Sequence, residues 1–159
     1  NADLSNDLGN LCQRSLTMIN KHCNSRIPKR DNIGDTEKQF LEKLFHLLPE
    51  LSLHIDNQEI NLYLKKIWDI VAETNKYFND NKPWELKDTN KKSFENILYV
   101  TADIIKQIAI MIYPVMPQTS VKILSLFSIE EDSIKIESLN INIENIELGN
   151  VKPLFPRVE

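Results

Sequence analysis

The sequence predicts an all-α protein: an antiparallel helical bundle of about five helices, followed by an extended, partly irregular C-terminal tail. Three observations carry this. Apolar residues recur at threes and fours over long stretches, the pattern of helices with one buried face. Only 3 glycines occur in 159 residues, and Leu, Ile, Lys, Glu and Asn are abundant. Beyond Phe127 the helical period fades. The bundle is therefore expected over residues 1–127, with residues 128–159 as a tail packing on it or at a junction with another domain. A chain of this length is the usual size of one domain and can bury a core.

The first helix is expected from Ala2 to Asn24, with Leu4, Leu8, Leu11, Cys12, Leu16, Ile19 and Cys23 as its buried stripe. That stripe starts almost at residue 1 and without an initiator Met, so the helix reads as cut from a longer polypeptide. Residues 25–36 carry Pro28 and Gly34 and read as a loop. Asp35 or Thr36 then caps a second helix, Thr36 and Gln39 having capping-box spacing. Phe40, Leu41, Leu44, Phe45 and Leu48 form its apolar face, and Pro49 marks its expected end.

A third helix is expected over 55–79, with Ile60, Leu64, Ile67, Trp68, Val71, Asn75 and Phe78 on one stripe. Trp68 reads as core. Asn75 is the polar exception, expected to tie the helix end to the following turn and to need hydrogen-bond partners there. Residues 79–91 are a polar connection, in which Pro83 pushes Lys82 toward extended geometry. The fourth helix, about 91–113, is almost wholly apolar from Ile97 to Tyr113 except for Thr101, Asp103, Lys106 and Gln107, and must lie at the centre of the bundle. Pro114 ends or kinks it, and Pro117 opens a fifth helix to Phe127. Alternation around Ile134 to Ile143 fits a short strand or an extended tail.

Several function classes drop out. No run approaches the roughly 18 apolar residues of a membrane span, and no signal peptide is recognisable, so a cytoplasmic protein without a membrane partner is expected. Cys12 and Cys23 would stand about 16 Å apart on one helix, too far for a disulfide with each other. With His22, His46 and His54 they form no zinc spacing. Phosphate-loop, dinucleotide, nucleophile-elbow and zinc-protease motifs are all absent, so neither a catalytic nor a metal-binding residue is assigned. The net charge of −4 sits in the tail: from Ser128 onward 7 acidic residues face 3 basic ones, and the remainder is balanced. Residues 1–30 hold Arg14, Lys21, Arg26, Lys29 and Arg30 against Asp3 and Asp7. A basic end on an acidic protein suits a limited nucleic-acid contact.

Two stretches remain. Asn10 and Arg14 are four apart, so they project from one helix face. Trp84 follows Pro83 where the third helix has ended. An Asn, an Arg and a loop Trp can hold one unpaired base: two hydrogen-bonding side chains and an aromatic plate. By residue type alone, the same pattern also describes ordinary surface residues and a Trp folded back onto the bundle as a plug.

The segment Ala-Asp-Leu-Ser-Asn-Asp-Leu-Gly-Asn-Leu at 2–11, with Arg14 and then Met-Ile-Asn-Lys at 18–21, resembles the start of the anticodon-binding helical domain of methionyl-tRNA synthetases. So does Ala-Glu-Thr-Asn-Lys-Tyr-Phe-Asn-Asp-Asn-Lys-Pro-Trp-Glu-Leu at 72–86. Residues 112–120 and the closing Pro-Leu-Phe-Pro-Arg-Val-Glu at 153–159 are similar to later segments of that family. The resemblance implies that the chain reads the CAU anticodon of methionine tRNA through its anticodon loop. Trp84 would stack on the first anticodon base, Asn10 and Arg14 would hydrogen-bond that base or its surroundings, and Pro83 would belong to the same wall. It implies Asn75 and Tyr77 as supporting structure. The family's catalytic domain, with its ATP site and in some members zinc, is absent from this sequence. It is expected elsewhere in the same polypeptide, so this chain is expected to be inactive alone. The remaining alternatives are the anticodon domain of a related synthetase and a helical interaction module without an RNA role.

Overall fold

The computed structural model describes residues 2–152. Helix α1 spans Ala2–His22, α2 Asp35–Asp56 and α3 Ile60–Asn81. A single turn, α4, covers Pro83–Leu86, and α5 runs Lys91–Ile112 and α6 Pro117–Leu126. Two 3-10 turns follow, Glu131–Ser133 and Ile136–Asn140. Among the described residues there is no strand; an isolated antiparallel bridge joins Arg26 to Glu147. The closing segment 153–159 and the side chain of Leu4 lie outside the described residues.

The apolar run of the sequence becomes the axis of the molecule. Every residue of α5 from Ile97 to Ile112 is buried, so this helix is surrounded rather than laid on a surface. Helices α1, α2, α3 and α6 all pack against it. The direction of each follows from its contacts. Phe40 meets Tyr77 and Lys43 pairs with Glu73, while Glu50 pairs with Lys66, so α2 and α3 run antiparallel. The Tyr63 hydroxyl donates to the Met111 carbonyl near the far end of α5, and His22 meets Phe94 near its start. Helices α1 and α3 therefore both run opposite to α5, and parallel to each other. Ser120 of α6 donates to the Ala109 carbonyl at 2.6 Å, pinning α6 to the same axis.

The four polar residues between Ile97 and Ile112, Thr101, Asp103, Lys106 and Gln107, are buried too, and each has a partner. Thr101 donates to the Ile97 carbonyl within its own helix. Lys106 is 1% exposed. Its ammonium donates to Asp103 Oδ1 at 2.9 Å and to the carbonyls of Leu139 and Ile141 at 2.9 and 2.7 Å. Gln107 donates to Asp103 Oδ2 and to the Leu41 carbonyl of α2. An ammonium has three donors, and all three are engaged. This cluster fastens the 3-10 segment and α2 onto α5. The alternation around Ile134 to Ile143 is thus neither a strand nor a loose tail. Ser138, Leu139 and Ile143 are buried, and Asn145, Ile146 and Leu148 exchange backbone hydrogen bonds with Ser25 and Ile27.

Local expectations differ in five places. Pro49 does not end α2, which continues to Asp56 with the proline inside. Losing one intrahelical bond and adding a ring clash costs about 3 kcal/mol, but Leu51 is buried and Ile55 partly buried beyond it, and that burial offsets the break. Helix α3 consequently starts at Ile60, after a turn in which Gln58 takes φ 59°. Ile60 stands 41% exposed instead of joining the buried stripe. The Thr36–Gln39 capping box does not form; Gly34 precedes α2 without a side-chain cap. Helix α5, by contrast, is capped by Asn90, which accepts from the Ser93 amide at 3.2 Å. Trp68, read as core, is only partly buried and donates from Nε1 to Asp7 Oδ2 at 2.9 Å.

Two outcomes follow. Lys106→Met removes the partner of a buried carboxylate and two carbonyls, and should lower the unfolding free energy by about 3–5 kcal/mol in urea titrations; adding Asp103→Leu should recover part of the loss. Burial also pushes the Cys12 thiol up to about 12 and the Tyr63 phenol up to about 12. Burial and then the Glu95 carboxylate push Cys23 up to about 11. The folded chain keeps protons that the unfolded chain releases above the ordinary values, so stability should hold below about pH 9 and fall as pH climbs toward about 11. Equal urea midpoints at about pH 8 and about pH 10.5 would contradict this.

Candidate nucleic-acid interface

The end of α3 turns sharply into α4. Asn81 closes α3, its amide donating to the Tyr77 carbonyl at 2.8 Å. Lys82 then adopts φ 44° and ψ 60°, a left-handed conformation instead of the extended one expected before proline. A non-glycine residue there costs roughly 1–2 kcal/mol. Pro83 is buried at the first position of α4, where its missing N–H has no helical partner to lose. Burial of Pro83 and packing of α4 on α5 hold Lys82 in that geometry. The polar connection of the sequence is therefore a rigid one-turn helix, and it delivers the next residue, Trp84, to the surface with 41% of its area exposed.

Beneath that ring lies Phe78, 1% exposed. The two rings stand with centroids 5.9 Å apart and planes at 59°. Arg14 of α1 completes the group. Its guanidinium carbon is 5.3 Å from the Phe78 centroid and 5.7 Å from the Trp84 centroid, over both rings. Side chains from α1, α3 and α4 thus meet at nearly equal distances. Arg14 forms no ion pair among the described residues. Asn10 is exposed one turn before Arg14 on the same helix.

Asn75 ties α3 to α1 and not to the following turn: its amide donates to the Asp7 carbonyl at 3.4 Å, and Trp68 engages the Asp7 side chain. Together they set the register of α1 against α3 one turn ahead of Asn10. Tyr77 packs on Phe40 with centroids 5.5 Å apart, and burial, followed by the Glu37 carboxylate, pushes its phenol up. Of the residues singled out in the sequence, Arg14, Pro83 and Trp84 share one locality and Asn10 flanks it. In the sequence Phe78 is one member of an apolar stripe. Its place beneath both Arg14 and Trp84 is visible only once α1, α3 and α4 are assembled.

Chemically this is a shelf, with an exposed aromatic face, a cation that no carboxylate of the described residues pairs, and an amide. An aromatic plate stacks on any base, and amide or guanidinium groups can read a base edge. No group of three His, Cys, Asp or Glu residues stands ready to hold a metal ion among the described residues.

Comparison with known proteins adds the family. The model of a family described as the anticodon binding domain of methionyl tRNA ligase matches residues 27–153, a range that includes Pro83 and Trp84 and leaves out Asn10 and Arg14. The methionine–tRNA ligase of Brucella suis biovar 1 (strain 1330) is 35% identical over 159 residues, covering 99% of this chain and 31% of the relative. That of Mesorhizobium japonicum is 38% identical over 160 residues, covering 99% and 31%. The free-state crystal structure of Mycobacterium tuberculosis methionyl-tRNA synthetase superposes with a TM-score of 0.92 at 32% identity, over 99% of this chain and 33% of that one. The same protein in complex with methionyl-adenylate gives 0.91 at 33% identity, over 99% and 32%. The chain thus spans about a third of the length of these relatives.

The left-handed Lys82 gives a direct check on how α4 is held. Lys82→Val, with a branched side chain at positive φ, should lower the unfolding free energy by about 1–2 kcal/mol. Lys82→Gly should change it by less than about 1 kcal/mol, relief of strain being balanced by a more flexible unfolded chain. Urea unfolding of the two variants measures the difference.

Proposed function

The chain belongs to the methionyl-tRNA ligase family, as its anticodon-binding domain, and on that footing we propose that it recognises the CAU anticodon of methionine tRNA at the Trp84 shelf. The observation that carries this reading is a partly exposed Trp84 ring set beside Arg14 on a rigid turn. The first anticodon base, a cytosine turned out of its loop, stacks on the ring, for which base–aromatic stacking is worth roughly 1–3 kcal/mol. Stacking is indifferent to base identity, so Asn10 and Arg14 supply discrimination through hydrogen bonds to the base edge. Pro83, buried at the first position of α4, belongs to the same wall.

In this reading the full polypeptide joins methionine to tRNA in the cytoplasm. ATP, and zinc where a member uses it, bind in a catalytic domain outside this chain. No helix of the described residues is long and apolar enough to cross a membrane. A purely structural interaction module would bury Trp84 away from Asn10 and Arg14; the exposed ring beside Arg14 favours the RNA reading over it. With acidic and basic residues balanced through the bundle, binding by this chain alone is expected to be weak and salt-sensitive.

The deciding measurement uses the full-length ligase. Trp84→Ala should lower kcat/KM for methionine tRNA by about ten- to a hundredfold, the range implied by losing one stacked base. Methionine-dependent ATP–pyrophosphate exchange should stay near the parent rate. A parallel loss of both would remove Trp84 from the anticodon site, and equal use of CAU and non-CAU tRNAs by the parent enzyme would remove the methionine assignment.

A further inference from the structure

We infer that Phe78 is a positioning residue for anticodon recognition, holding the Arg14 guanidinium in a notch between two aromatic rings; this rests on the reading of the Trp84 shelf given above. Phe78 is too buried to touch an RNA, at 1% exposure, so any effect on binding has to pass through its neighbours. Those neighbours are the two groups that flank the proposed base site. The planes of Phe78 and Trp84 diverge by 59°, and Arg14 lies over both rings at 5.3 and 5.7 Å. A cation is attracted to the negative faces of both rings. Two faces also restrict a side chain that otherwise carries much rotamer freedom.

The chemistry around Arg14 makes this arrangement the more consequential. Arg14 is partly buried, and a carboxylate partner there would occupy its donors. Here no ion pair involves Arg14 among the described residues, and the aromatic faces hold the guanidinium without consuming an N–H. Its donors are thus pre-set and remain free for a base edge or phosphate, which lowers the ordering cost of binding. A Leu or Ile at position 78 would continue the apolar stripe of α3, at the packing cost of a smaller side chain in a buried site. Only the notch requires an aromatic ring.

The test is a double-mutant cycle. Phe78→Leu, Arg14→Met, both together and Trp84→Ala are compared with the parent in the full-length ligase, titrated at low salt with a CAU anticodon hairpin. Phe78→Leu should weaken binding about three- to tenfold, the scale of one cation–π contact, and should cost nothing further once Arg14 is Met. A purely structural role for Phe78 would persist in the double variant, so additive losses, or parent-like binding by Phe78→Leu, overturn the inference. Parent-like binding by Trp84→Ala would instead overturn the underlying reading of the shelf. A second measurement needs neither RNA nor a folded variant. The Arg14 Nε–H proton of the parent chain should resonate upfield of the ordinary arginine position because of the two rings, and an ordinary shift would also overturn the inference.

Discussion

The burial of α5 on all sides governs the remainder of the molecule. With every residue from Ile97 to Ile112 out of solvent, no single partner helix can cover it, and α1, α2, α3, α6 and the 3-10 segment are each recruited to one of its sides. Such an axis carries a cost at its four polar positions, because a buried ammonium or carboxylate without partners is strongly destabilising. The Lys106, Asp103 and Gln107 cluster resolves that cost by drawing in backbone carbonyls from α2 and from the 3-10 segment. Polar residues that look like interruptions in an apolar helix are thereby what orders the chain after α6.

The proposed RNA shelf depends on the same axis at one remove. Helix α4 is a single turn and could not fold by itself, since short helices are marginal without tertiary packing. Its packing on α5 and the burial of Pro83 hold the chain in an otherwise unfavourable left-handed turn at Lys82. Trp84 is consequently fixed in space although its ring is partly in water. Stacking a base on a fixed plate requires less ordering than stacking it on a mobile loop, which is the general advantage of a preorganised site.

In the proposed function the shelf also separates two tasks that one side chain cannot perform together. Aromatic stacking provides attraction without identity, and hydrogen bonding to a base edge provides identity with little attraction in water. Asn10 and Arg14 lie on a different helix from Trp84, so their register against the plate is set by how α1 lies on α3. Asp7 fixes that register by accepting from both Trp68 and Asn75. Under the proposed reading, residues outside the shelf thus bear on specificity through geometry alone.

Much of this was legible in the sequence, because apolar periodicity is a local property that survives in one dimension. The stripes of α1, α3 and α5 and the central place of α5 follow from it. So does the presence of a tryptophan just after a proline at a helix end. The resemblance of residues 2–21 and 72–86 to one synthetase family identified the anticodon-binding domain. Tertiary structure decided the rest. Pro49 stays inside α2 because Leu51 and Ile55 are buried beyond it, a gain that no local propensity records. Asn75 bonds to Asp7 of α1, 68 residues away in sequence, where a local reading placed its partner in the next turn. Lys82 is left-handed because Pro83 and α4 must reach α5. Above all, Phe78 looked like any other member of an apolar stripe. Only the meeting of α1, α3 and α4 turns its ring into one wall of the notch that holds Arg14 beside Trp84, because distances between segments remote in sequence are set by packing and not by spacing along the chain.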